Sequence, residues 1–211
     1  MIKIKYCGLT TLDDVNNAID ADVDAVGFVF VKHSKRFIES AQAAKLIDVA
    51  KKAGLITVAL FADQAANEIS TIIQLTEPDI LQFHGNESAA HCEQFDWPYW
   101  KAIPMLGEAC YMEIIKHHPN AEAFLVDAYG ANQSGGSGNT FQWFEFPEIL
   151  KSKLILAGGI NENNVHEALI KTGARYVDTS SGIESSPGVK SSFKMMALAK
   201  KIKSQCPQIT A

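Results

Sequence analysis

Long apolar runs are missing from this chain: none approaches the roughly 20 residues of a membrane-crossing helix. The first ten residues also lack the apolar centre of a secretory leader. A cytoplasmic protein with no membrane partner is therefore expected. Cysteine is scarce. Cys7, Cys92, Cys110 and Cys206 stand far apart, without the paired spacing of a zinc site or a small disulfide scaffold, so reduced thiols are expected. His91 beside Cys92 and His117 beside His118 do not make up for this, because adjacent residues on a helix point in different directions; no metal is expected. Positive charge is short as well. With 19 Lys and Arg against 24 Asp and Glu, the net charge is −5 and no basic stripe offsets it, which argues against nucleic acid as a partner. There is no Walker loop, and Gly136, Ser137 and Gly138 imitate only the first half of a dinucleotide-binding glycine turn.

What is present is regular in order. At 211 residues, 47% of them hydrophobic and 20% charged, the chain is long enough for one large core, and a single domain over residues 1–211 is expected. Residues 2–6 alternate apolar and lysine side chains and read as a strand that ends in Cys7 and Gly8. Thr10 and Thr11 precede Asp13 and Asp14 at capping-box spacing, and Val15, Ala18 and Ile19 give the helix that follows an apolar face. Further strands are expected at residues 25–30, 55–61, 80–83, 99–103, 123–126, 154–157 and 176–178. Helices are expected between them at 41–53, closed by a left-handed Gly54, and at 65–75, 86–95, 111–118, 161–171 and 192–203. This alternation predicts an α/β protein of the (β/α)8 kind, a TIM barrel. An internal echo supports a barrel over an open sheet: Gly8, Leu9, Val15 and Ala18 are repeated in Gly159, Ile160, Val165 and Ala168. The competing doubly wound sheet would carry a glycine-rich turn after its first strand, and Cys7, Gly8 and Leu9 do not supply one.

The segment 153–188 organises the rest. Its two strands end in small residues, Gly158 and Gly159 after the first and Thr179, Ser180, Ser181 and Gly182 after the second. Bare backbone N–H groups, serine hydroxyls and the start of a short helix expected at 183–186 would suit a phosphate. In a barrel this is where a phosphate site commonly lies. The same residues could also make two tight turns with no ligand.

Side chains at the C-terminal ends of barrel strands meet over one mouth, so Cys7, Arg36, His84 and Asp127 are the candidates for chemistry. Cys7 and Asp127 would flank an anchored phosphosugar, one taking a proton from carbon and the other giving one to oxygen, as in a sugar-phosphate isomerase. Each has a plainer alternative. Cys7 could be a small buried hydrophobe, Asp127 a turn cap and Arg36 a solvated charge, although its guanidinium is shaped to hold a carboxylate. His84 reads first as a structural hydrogen-bonder, since no neighbour in sequence orients it. The Gly- and Ser-rich segment 130–140 is either a disordered loop or a lid.

Several segments together resemble the phosphoribosylanthranilate isomerase family of tryptophan biosynthesis over almost the whole length. They are Lys5-Tyr6-Cys7-Gly8-Leu9, Gly27-Phe28-Val29-Phe30 with residues 34–38, Leu81-Gln82-Phe83-His84-Gly85, Val126-Asp127 with residues 135–138, Leu156-Ala157-Gly158-Gly159, and residues 178–190. The last is the most specific. The resemblance implies an Amadori rearrangement of an N-ribosyl anthranilate phosphate to the open-chain ketose, without a cofactor. Asp127 would be the general acid that opens the ring and Cys7, as thiolate, the base at C2'. Arg36 would hold the anthranilate carboxylate, and the backbone around Gly158, Gly159, Ser180, Ser181 and Gly182 the phosphate. Asp178 would meet a sugar hydroxyl, and His84 joins the substrate-lining set. The chain departs from the family pattern at Tyr6, usually aliphatic, at Lys35, commonly proline, and at Ala128 and Ser137, often threonine.

Three rivals remain open at this point. An indole-glycerol-phosphate synthase should place a lysine acid at a strand end, and a histidine-pathway isomerase an aspartate where Cys7 stands. A noncatalytic barrel would bind a sugar phosphate without turnover. By the same resemblance the expected small-molecule partner is phosphoribosylanthranilate, and the chain is expected as a monomer or homodimer.

Overall fold

Eight parallel strands close on themselves, and helices wrap the outside. The computed structural model describes residues 1–104, 110–127 and 151–204; the segment expected as a lid, Ala128 and Cys206 lie outside these. The barrel strands are β1 (Lys3–Cys7), β2 (Ala25–Val29), β3 (Ile56–Phe61), β4 (Ile80–Phe83), β5 (Tyr99–Pro104), β6 (Ala123–Asp127), β7 (Leu154–Leu156) and β8 (Tyr176–Thr179). They pair in chain order, and β8 returns to β1 with Lys5 opposite Asp178. The helices are α1 (Leu12–Asp20), α2 (Ser40–Lys52), α3 (Ala66–Thr76), α4 (Ala89–Glu93), α5 (Cys110–His117), α6 (Val165–Thr172) and α7 (Ser192–Lys203). The (β/α)8 architecture expected from the alternation is the one formed, with strand ends within a residue of expectation.

Strand period and closure together decide what each side chain meets. Alternate residues point outward, where Ile4, Tyr6, Phe28 and Leu81 join the layer under the helices, or inward, where Val58, Trp100, Leu125 and Ile155 fill the barrel. A residue and the one two places on share a face, so Lys5 points the same way as Cys7 and Gln82 the same way as His84.

Local chemistry sets the helix limits. Thr11 caps α1: its hydroxyl accepts from Asp14 N–H at 3.1 Å, and Asp14 Oδ2 accepts from Thr11 N–H at 3.1 Å, the reciprocal box that the spacing predicted. Gly54, at φ +84°, ends α2 as expected.

Three expectations need correction. The helix expected at 161–171 starts only at Val165, because the amides of Asn161 and Asn164 both turn back to Gly159 O, at 3.0 and 2.9 Å, and hold residues 161–164 in a turn. The helix expected at 86–95 shrinks to Ala89–Glu93. Glu87 is drawn inward to accept from Asp63 N–H, Gly85 N–H and Lys101 Nζ, and Ser88 becomes the cap. The short helix expected at 183–186 is a 3₁₀ turn at Ser181–Ile183. Beyond it β9 (Glu184–Ser186) folds back on β10 (Val189–Lys190) through Pro187 and Gly188, the latter at φ +87°.

Candidate active site

One cavity of about 390 Å³ opens at the C-terminal mouth of the barrel, a size suited to a small ligand. Cys7 from β1 and Asp127 from β6 both line it, as do Arg36 and His84. Gly158, Gly159, Asp178, Ser180 and Ser181 line it too, so of the substrate-lining residues expected from sequence only Gly182 stands behind its wall. Gly182 acts from there. A Cβ on it would collide with the Ile160 carbonyl oxygen, so the missing side chain lets the loop after β8 lie flat on the loop after β7.

Part of the cavity wall is glycine backbone. Gly158 and Gly159 both adopt left-handed conformations, φ +85° and +65°, which turn the chain at the rim. The two asparagine amides on Gly159 O fix this turn. The N–H groups of Gly159 and Ser181 donate to no acceptor among the described residues. Both residues line the cavity, and free backbone donors there suit an anion nest. The Asn161 and Asn164 contribution was hidden in the sequence, where both residues look like ordinary first-turn helix positions.

Beside this nest, at the end of the neighbouring strand β6, lies the acid. Asp127 Oδ2 is 3.2 Å from His84 Nε2, and His84 Nδ1 is 3.1 Å from Gln82 Nε2. With the Gln82 amide donating to Nδ1, a neutral ring carries its proton on Nε2 and gives it to Asp127 Oδ2. Asp127 Oδ1 is buried and has no hydrogen-bond partner among the described residues. The absence of an orienting neighbour for His84 was therefore a misreading: Gln82, two residues earlier on the same strand face, performs that task.

On the other side of the mouth Cys7 is 4% exposed. Burial pushes its thiol above the ordinary value; Lys5 pulls it down, Asp178 pushes it up and Lys190 pulls it down. Lys5, wholly buried, donates to Asp178 Oδ1 at 2.8 Å. Its alternation with Cys7 in β1 was the signal for this inward position.

Arg36 reaches the cavity with its guanidinium already held. Nε donates to Glu184 Oε1 at 2.6 Å and Nη2 to Oε2 at 2.9 Å, a bidentate pair. Its stem lies across Gly8, where an added Cβ would stand 2.6 Å from Arg36 Cδ. Glu184 also accepts from Lys190 Nζ at 2.8 Å, and Lys190 donates to Ser180 O at 2.9 Å. Ser180 Oγ in turn donates to Cys7 O at 2.9 Å. This chain of contacts links the loop carrying Arg36 to the anion nest and to the thiol. Nothing in the spacing of Glu184 announced it, because its partners are 148 and 6 residues away in sequence.

A closed barrel with a thiol, a carboxyl group and a nest of backbone donors around one mouth defines a (β/α)8-barrel enzyme of the acid–base kind. Comparison with known proteins narrows this. The profile described as N-(5'phosphoribosyl)anthranilate (PRA) isomerase matches residues 4–201. The chain is 40% identical to the N-(5'-phosphoribosyl)anthranilate isomerase of Xylella fastidiosa strain 9a5c, over 95% of this chain and 91% of that one. Among solved structures, the phosphoribosyl anthranilate isomerase of Thermus thermophilus superposes with a TM-score of 0.83 at 31% identity, covering 96% of this chain and 99% of the other. A phosphoribosyl anthranilate isomerase in complex with reduced 1-(o-carboxyphenylamino)-1-deoxyribulose 5-phosphate matches with a TM-score of 0.83 at 26% identity, over 97% and 100% of the two chains. The chain belongs to the N-(5'-phosphoribosyl)anthranilate isomerase family, enzymes of tryptophan biosynthesis.

Proposed function

We propose that the chain isomerises N-(5'-phosphoribosyl)anthranilate to 1-(o-carboxyphenylamino)-1-deoxyribulose 5-phosphate, with Asp127 as general acid and Cys7 as general base. The observation that carries this reading is that both groups open onto one cavity whose rim is the glycine and serine nest. As the acid, Asp127 would deliver its proton from Oδ1, which is buried without a partner among the described residues, while Oδ2 lies beside His84 Nε2. It gives that proton to the furanose ring oxygen, and the ring opens to an iminium ion as the nitrogen lone pair takes up the positive charge. Cys7, as thiolate, then removes the C2' proton, and the electrons of that C–H bond neutralise the iminium to give an enolamine. Tautomerisation yields the ketone. Protons and electrons balance within the substrate and the two side chains, so no cofactor is called for.

The nest at Gly158, Gly159, Ser180 and Ser181 holds the phosphate, with Gly182 closing the two loops together. Asp178 meets a sugar hydroxyl and His84 lines the sugar beside the acid. Arg36, held flat by Glu184, faces the anthranilate carboxylate. The ligand named in the related complex is the reduced form of that product, with the same carboxyl and phosphate groups and an alcohol in place of the ketone. One barrel domain over residues 1–211 provides all of this, as a monomer or homodimer. A phosphomonoester does not cross a bilayer, so enzyme and substrate share a compartment, which we take to be the cytoplasm.

The test is loss of phosphoribosylanthranilate fluorescence on adding purified protein. Binding of the product without any turnover would favour a sensor barrel and end this reading.

A further inference from the structure

We propose that Lys5 is a positioning residue for this reaction: lodged between Cys7 and Asp178 on the inner face of the barrel, its ammonium is the counter-charge that holds the Cys7 sulfur in place as a base. The proposal rests on the assignment of Cys7 as the base and names what makes it one.

The register supplies the first part of the argument. Lys5 lies directly opposite Asp178 across the β1–β8 pair, and Cys7 directly opposite Gly27 across the β1–β2 pair. Lys5 and Cys7 share one strand face, so the ammonium, the thiol and the carboxylate converge from two strands. Lys5 is fully buried, and Asp178 is 7% exposed. A lysine wholly out of water is costly unless it is paired, and one carboxylate 2.8 Å away meets that need. One partner leaves further ammonium hydrogens, and the Cys7 sulfur is the neighbour on the same strand face.

Space is the second part. A Cβ on Gly27 would stand 2.8 Å from Cys7 Sγ and 3.1 Å from both Lys5 Cε and Lys5 Nζ. The same missing side chain therefore makes room for the sulfur and the ammonium together.

Charge completes it. Burial, the largest influence on Cys7, disfavours the thiolate, and Asp178 disfavours it too; Lys5 is the strongest opposing influence, with Lys190 behind it. For Lys5 itself, burial favours the neutral amine, but Asp178 and Cys7 outweigh it and keep the ammonium. Without Lys5, an incipient thiolate would meet the unfavourable charge of the Asp178 carboxylate without its strongest opposing cation.

The experiment follows the ultraviolet absorbance of the thiolate against pH, taken as the difference from Cys7→Ser, in the natural protein and in Lys5→Met, which keeps the length and removes the charge. At the pH that half-ionises Cys7 in the natural protein, the Lys5→Met thiolate signal is expected to fall at least about five-fold, as an upward move of one unit requires. Turnover should drop at least about ten-fold while KM changes less than about three-fold. An unchanged Cys7 titration in folded Lys5→Met overturns the proposal. If Lys5→Met does not fold, Asp178→Asn with Lys5→Met is compared with Asp178→Asn alone, and equal thiolate titrations then overturn it. The two readings fail separately. Full turnover in Cys7→Ser would remove Cys7 as the base, whereas the thiolate titration reports on Lys5 whether or not the enzyme turns over.

Discussion

Replacing Glu184 by Gln tests the contact chain that ties Arg36 to the anion nest. Glu184 is 6% exposed and balances two cations, Arg36 through two hydrogen bonds and Lys190 through one. Glutamine keeps the shape but removes the negative charge that lies between the half-buried Arg36 guanidinium and the Lys190 ammonium. Breaking a buried pair by neutralising one partner costs about 3 kcal/mol at the low end. For a chain of this length that corresponds to a melting temperature lower by about 6–12 °C. The pH dependence gives an independent check. Burial raises the Glu184 carboxyl, but the bonds and charges of Arg36 and Lys190 more than offset this and hold it below the ordinary 4.5. A depressed carboxylate contributes stability that is complete above its unfolded value and disappears as pH falls through its folded one. The gap in melting temperature between natural protein and variant should therefore be full at neutral pH, begin to narrow below about 4.5, and close as pH falls through the lower folded value, where the natural side chain also becomes neutral. Scanning calorimetry at several pH values measures both. A gap under about 2 °C at neutral pH, or one that does not shrink in acid, would refute the argument.

Cys7→Ala and Asp127→Asn should each lower kcat by at least about 100-fold with little change in product affinity, read by fluorescence turnover and product titration; near-normal turnover in either removes that residue from the mechanism. Arg36→Ala should chiefly raise KM for the anthranilate substrate, and an unchanged KM would rule out the carboxylate contact. Gly182→Ala should push the two anion-binding loops apart at Ile160 and weaken inhibition by inorganic phosphate, measured as an increased inhibition constant.

How legible this molecule was varies from residue to residue. Eight apolar segments separated by amphipathic ones could be read directly, because strand and helix periods are properties of neighbouring residues. The box at Thr11 and Asp14 and the left-handed Gly54 were legible for the same reason. The helix at 161–171 was misplaced at its start because asparagine side chains can serve the backbone outside a helix as well as within it, and only the position of Gly159 decides which. Orientation of His84 was missed although Gln82 is two residues away, since the inward face of β4 has meaning only once the barrel is closed.

The sequence by itself determined the order of strands and helices, the small residues after β7 and β8, and the motifs by which Cys7 and Asp127 were singled out. Tertiary structure alone decided their partners. Lys5 meets Asp178 across 173 residues of chain, and Arg36 meets Glu184 across 148. The physical reason is that a charge gains its energetic weight from burial and from what stands a few ångströms away, and barrel closure, which joins β8 to β1, fixes both.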